Sequence, residues 1–96
     1  MEKKYELVLV FDKDLQKKER EAVLGIIEGW SKGKGLTVKE KNDLGVKSLV
    51  YEMKGKKEAG FWQLFLTGEV VCFDELSVML NRDERVWRHL ILKSTV

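Results

Sequence analysis

A chain of 96 residues has room for one domain with a modest core and none for two. With 44% hydrophobic and 35% charged residues it reads as a globular chain, not a disordered one, and no apolar run nears the roughly 18 residues of a membrane helix. A net charge of +2 argues little by itself for a polyanionic partner, and a single cysteine, Cys72, excludes an internal disulfide and fits a reducing, cytosolic setting.

The opening Met-Glu-Lys-Lys-Tyr-Glu lacks the apolar core of a signal peptide. Tyr5 to Phe11 then alternates. Tyr5, Leu7, Leu9 and Phe11 share one face, and Val8 and Val10 on the other predict a central strand partly covered on both sides. Asp12-Lys13-Asp14 breaks the pattern, and Asp12 or Asp14 is a candidate cap for the next helix. In that helix Leu15, Ala22, Val23, Ile26, Ile27 and Trp30 recur at helical spacing. Lys32-Gly33-Lys34-Gly35 ends it, with Gly33 or Gly35 suited to the left-handed conformation beyond a helix end. A Gly-Lys-Gly run has some phosphate-loop composition, but here it follows a helix instead of preceding one and lacks the longer pattern.

A second strand region runs from Leu36 to Met53, with an expected interruption near Asn42–Gly45, where Gly45 marks a bulge or bend. Beyond it Leu49, Tyr51 and Met53 fall on one face. Lys54 to Gly60 reads as a loop and Phe61 to Thr67 as the third strand, with Trp62, Leu64 and Leu66 facing one way and Phe61 and Phe65 the other. Gly68 closes it. A second helix is expected from Glu69 to Leu80, with Val71 or Cys72, Leu76, Met79 and Leu80 inward, then a turn at 81–84 and a last strand from Arg85 to Ser94. This order, βαβ followed by βαβ, predicts a single α+β domain over residues 1–96. The architecture is a ferredoxin-like sandwich, βαββαβ, a four-stranded antiparallel sheet with two helices on one face. Right-handed crossovers put the first and third strands in the centre. On the face without helices, Val8, Phe61 or Trp62, and Trp87 or Ile91 are expected to expose apolar surface, the mark of a partner.

Charge is unevenly spread along the chain. Eight lysines (32, 34, 39, 41, 47, 54, 56 and 57) meet only Glu40, Asp43 and Glu52 between residues 32 and 57. From Glu58 to Asn81 there is no basic residue, and from Arg82 onward three arginines and Lys93 meet Asp83 and Glu84. The expectation is a basic and an acidic pole; the competing reading is that the lysines only solvate loops and guard sheet edges. Catalysis finds little to stand on. His89 is the only histidine and reads as a packed or half-exposed strand residue, and Cys72 reads as core filling without a local base. No enzyme activity, cofactor, metal or small-molecule substrate is expected. Trp30 belongs to the core; Trp62 and Trp87 are weaker candidates for stacking on bases, since no RRM strand signature accompanies them.

Gly45, Lys47, Leu49, Tyr51 and Lys54, spaced Gly-x-Lys-x-Leu-x-Tyr-x-x-Lys, resemble the signature of the bacterial small-subunit ribosomal protein six (S-six) family. Lys3-Lys4-Tyr5-Glu6 is similar to that family's basic-aromatic-acidic opening, and Val86-x-Arg88-x-Leu90-x-Leu92-Lys93 to its last strand. Val50 stands where a small residue is usual, Glu52 replaces a common proline and Met53 an isoleucine. The resemblance spans nearly the whole chain and lies in the order and spacing of the motifs. It implies a structural component of the small ribosomal subunit, cytoplasmic and on the ribosome. The implied partners are the central domain of small-subunit rRNA and ribosomal protein S-eighteen, bound cooperatively. Lys3, Lys4, Arg88 and Lys93 match basic positions of the family pattern and are the expected RNA contacts; Lys47, Arg82 and Arg85 join them on charge and placement. Two other functions fit the same fold: a protein-interaction or dimerisation module without RNA binding, and an acylphosphatase-like enzyme, for which no arginine-glycine anion loop is present.

Overall fold

The computed structural model describes residues 3–69 and 73–94. Its elements are β1 (Lys3–Phe11), α1 (Lys17–Gly33), β2 (Thr37–Met53), β3 (Lys56–Gly68), α2 (Asp74–Arg82) and β4 (Val86–Ser94). The strands form one sheet in the order β2-β3-β1-β4, every neighbouring pair antiparallel. This is the expected ferredoxin-like arrangement, with β1 and β3 central and β2 and β4 at the edges.

Strand alternation sorts the apolar side chains. Register pairs Tyr5 with Leu66, Leu7 with Leu64 and Leu9 with Trp62, so these residues share the helix-backed face. They pack against Val23, Leu24, Ile27 and Trp30 of α1 and Leu76 and Leu80 of α2. Leu7, Ile27, Leu64, Leu66 and Leu76 are completely withdrawn from water. Within α1 the inward stripe differs from the expected one: Leu24 is buried, whereas Ala22 is exposed. In α2, Leu76 and Leu80, one helical turn apart, carry the contact, while Met79 and Val78 stay exposed on its flank. The helix begins later than expected, at Asp74, and the predicted inward positions Val71 and Cys72 lie outside the described residues.

Several boundaries move for identifiable reasons. Neither Asp12 nor Asp14 caps α1; Gln16 holds the cap position without a side-chain bond. The Asp12 carboxylate is already engaged, accepting from the Asp14 N–H at 2.9 Å and pairing with Lys56 Nζ at 3.0 Å. These bonds, the backbone one foremost, hold its carboxyl below the usual carboxylate range. The expected loop from Lys54 to Gly60 is only a two-residue turn, Lys54 (φ 54°) and Gly55 (φ 75°), from which β3 starts at Lys56. A turn with positive φ at both central residues matches the twist of a hairpin. After α1 it is Gly35 that takes a positive φ, at 76°.

The expected break in β2 is a bulge. Asp43 pairs with Trp62 and Gly45 with Phe61, leaving Leu44 without an opposite number. Gly45 adopts φ 76°, and its N–H donates to Asp43 Oδ1 at 2.8 Å. A larger irregularity follows: Ser48 pairs with Glu58 and Met53 with Lys56, so residues 49–52 face Lys57 alone. The surplus backbone is accommodated above the open face, where Leu49 and Tyr51 line a groove together with Val10 and Phe61.

Candidate functional site

The face of the sheet without helices carries two kinds of surface. A polar band crosses its middle: Asn42 donates to Gln63 at 3.4 Å, and Gln63 Nε2 donates to Glu6 Oε2 at 2.6 Å. Register with Val8 and Glu6 places Leu90 and Leu92 of β4 on the same face, where they are 52% and 45% exposed. Apolar surface was expected on this face, but from Val8, Phe61 or Trp62, and Trp87 or Ile91 and not from Leu90 and Leu92, and two of those candidates are not part of it. Trp62 pairs with Leu9 and Ile91 with Leu7, so both point to the helix side and pack on the core. Partly buried against the core, Trp62 does not belong to the open face on which it was a candidate platform for bases.

The seven cationic candidates fall in four places. Lys3, Lys4 and Lys93 gather at one end of the sheet, where β1 starts and β4 finishes: Lys4 pairs with Ser94 and Tyr5 with Lys93. Within that group, Lys4 projects to the open face, while Lys3 and Lys93 lie on the helix side by alternation. Arg88 pairs with Val10 and sits on the open face toward the other end. Five residues of extended strand separate it from Lys93, about 17 Å. Lys47, opposite Ala59 on edge strand β2, lies across the sheet from it. Arg82 and Arg85 occupy the fourth, at the end of α2 and in the turn before β4.

Their charges are not equally available. Arg85 grips Asp83 with two parallel bonds, Nε to Oδ1 at 2.9 Å and Nη2 to Oδ2 at 2.8 Å, and lies 3.5 Å from Glu19. The hydrogen bonds from Arg85 hold the Asp83 carboxyl below its ordinary range, and those same bonds raise Arg85 further above its own. Lys3, Lys4, Lys47, Arg82, Arg88 and Lys93 show no carboxylate partner among the described residues. Arg88 donates instead to the neutral Tyr51 hydroxyl at 2.9 Å. Tyr51 thus joins the site although it was not among its candidates. Alternation had placed it beside Leu49 and Met53; its reach to β4 depends on the surplus residues 49–52, which only strand pairing reveals.

The acidic segment does not gather into the single acidic pole expected from the order of charges. Folding carries the acidic segment to both ends of the sheet, where Glu58 meets Lys13 at 3.5 Å and Glu75 meets Lys34 at 3.3 Å. Lys41 is paired with Glu28. His89 is half-buried on the helix side opposite Leu9, and burial lowers its pKa. It has no hydrogen bond to another side chain among the described residues, which gives it no proton-relay partner. Among the described residues no helix is long and apolar enough to cross a membrane.

Comparison with known proteins adds an independent line. The family model for Ribosomal protein S6 matches residues 4–93. The chain is 35% identical over 89 residues to small ribosomal subunit protein bS6 of Flavobacterium psychrophilum, covering 90% of this chain and 76% of that one. The corresponding protein of Flavobacterium johnsoniae is 33% identical with the same coverage. In structure, the fold is similar to 30S ribosomal protein S6 from Thermotoga maritima, with a TM-score of 0.82, 19% identity, and 98% of this chain and 89% of that chain covered. It is also similar, at a TM-score of 0.61 and 17% identity, to the CheA P2 domain in complex with CheY from the same organism, over 98% of this chain and 100% of that one. The second likeness shows how far one architecture extends beyond one role.

Proposed function

The chain belongs to the ribosomal protein S6 family of the small ribosomal subunit, whose members are structural and not enzymes, and we propose that it binds the central domain of small-subunit rRNA cooperatively with ribosomal protein S-eighteen. What supports this most is where the cations that match the family's basic positions lie, and that their charge is uncommitted. Lys13, Arg20, Lys34, Lys41, Lys56 and Arg85 each have a carboxylate within ion-pair distance. Lys3, Lys4, Arg88 and Lys93, the four that match the family's basic positions, have none among the described residues and all lie on β1 or the neighbouring edge strand β4. A cation already neutralised gains little from a phosphate; one left unpaired at a strand edge is available to displace counterions from a polyanion.

The same margin suits two partners at once. Leu90 and Leu92 share the open face of β4 with Arg88 and offer apolar contact to a protein, while Arg88 at one end of the strand and Lys93, turned to the other side at its far end, are left for RNA. A chain of net charge +2 has few phosphate contacts to offer alone, and a second protein on the same RNA enlarges the interface. Lys47 and Arg82 extend the cationic surface. Arg85 contributes least, because its guanidinium is committed to Asp83.

The test is the double variant Arg88→Ala/Lys93→Ala, titrated with S-eighteen onto a central-domain transcript at several salt concentrations. The fold should remain intact. Affinity should weaken, and the slope of log K against log salt should shrink by about 1.4 to 1.8, the share of two lost phosphate contacts. An unchanged slope would remove both residues from the interface. A chain associating only through Leu90 and Leu92 would bind with little response to salt.

A further inference from the structure

Residues 49–52 stand opposite a single residue of β3, and the surplus turns Tyr51 back over the open face. There a groove of about 250 Å³ is lined chiefly by Val10, Leu49, Met53 and Phe61, with Tyr51 and Arg88 at its rim. No carboxylate lines it. Tyr51 is 62% exposed, yet its hydroxyl accepts the 2.9 Å bond from Arg88. A guanidinium has five N–H donors, so one bond to a neutral oxygen leaves most of its capacity, and all of its charge, unused.

We propose that this groove holds one unpaired nucleotide of the bound RNA, its base stacked on Tyr51 above the apolar floor and its phosphate on Arg88. The inference rests on the rRNA-binding reading above and assigns it a contact that charge alone did not identify. A nucleotide is a flat apolar surface joined to an anion. The groove presents an exposed tyrosine, an apolar floor and a cation hydrogen-bonded to the tyrosine's hydroxyl. Lys47, Lys54 and Lys57, on the hairpin that carries Tyr51, have no carboxylate partner among the described residues and favour a continuing polyanion. The base must be unpaired, since a base within a helix has no free face for the ring.

Two variants test this: Tyr51→Ala removes the ring, and Tyr51→Phe keeps it while removing the hydroxyl. Each is measured for thermal unfolding, for binding to S-eighteen without RNA, and for binding to a central-domain transcript with S-eighteen across a salt series. Stability and the protein–protein affinity should stay unchanged. RNA affinity should fall roughly tenfold for Tyr51→Ala and by no more than about twofold for Tyr51→Phe, as loss of one stacked base predicts, with the salt slope retained in both. Equal losses for Ala and Phe with a reduced slope would mean that Tyr51 acts only by placing Arg88, and would overturn the stacked base. Loss of S-eighteen binding in the absence of RNA would make the groove a protein pocket, also against the proposal. Unchanged RNA affinity in both variants would sink this inference alone, whereas a wild-type chain that fails to bind the transcript would remove the underlying reading as well.

Discussion

Leu7 and Leu92 occupy neighbouring strands of one sheet and have opposite surroundings. Leu7, with Leu64 beside it in register, is sealed beneath two helices; Leu92, beside Glu6, keeps 45% of its surface in water. The helix-backed face is continuous apolar packing, from Tyr5 across to Leu66 and Leu76. The open face alternates a hydrogen-bonded band with apolar and cationic fringes. Because strand side chains alternate with period two, one short strand serves both faces without either constraining the other's composition. Stability is therefore concentrated on the helix-backed side, while Lys4, Arg88, Leu90 and Leu92, proposed to meet partners, lie on the other, which makes these two sets separable by substitution.

The largest expected effect is on the sealed side. Leu7→Ala should cost about 2–5 kcal/mol, through lost transfer energy and an unfilled cavity. Leu92→Ala should stay within about 0.5 kcal/mol of wild type, as exposed positions do. Urea unfolding of the two variants checks the contrast, and equal losses would break it. Next comes Gly60, which is paired with Phe11 on the helix side. A Cβ added there would come within 2.6 Å of Phe11 Cε2, closer than van der Waals contact permits. Gly60→Ala should thus destabilise by about 1–3 kcal/mol through overpacking. The penalty should shrink in a Phe11→Leu background, which frees part of the ring's space; a penalty indifferent to Phe11 would show that the ring is not its cause.

Most of the sealed side was legible in the sequence, because its signal is local. Alternation of Tyr5, Leu7, Leu9 and Phe11, and of Trp62, Leu64 and Leu66, sets the inward face without knowledge of the partners. Trp62 shows where that knowledge becomes necessary. Its face was correctly grouped with Leu64, but which group met the helices was settled only by pairing with Leu9. The polar run Lys56-Lys57-Glu58-Ala59 read as a loop, yet it is strand, because the hairpin supplies its hydrogen bonds and lets charged side chains remain in water. For the site, the chain named cations but not their availability. Asp83, two positions before Arg85, was the one local hint that sets it apart from Arg88; the turn that makes that pair bidentate and the contact with Glu19, 66 positions away, are not written in the local sequence. Tyr51 was hidden for a similar reason, since the fold-back of residues 49–52 is a property of two strands of unequal length and not of either one.

His89 offers the smallest and most specific test of the division between faces. It belongs to β4, the strand proposed to meet RNA, but register with Leu9 turns it to the helix side, where burial lowers its pKa below the ordinary 6.5. Burial disfavours the protonated ring in the folded chain, whereas the unfolded chain protonates freely as the pH falls through about 6.5. The unfolded state therefore binds the extra proton first, and folding stability declines as the pH drops below 6.5 toward the lower folded value. His89→Gln, which cannot titrate, should flatten this part of the profile: the variant and wild type should run parallel above pH 7 and diverge between pH 6.5 and 5, with wild type losing more. Urea midpoints at closely spaced pH values measure the divergence. Parallel curves throughout would place the imidazole in water on both sides of the unfolding transition and end its assignment to the packed face.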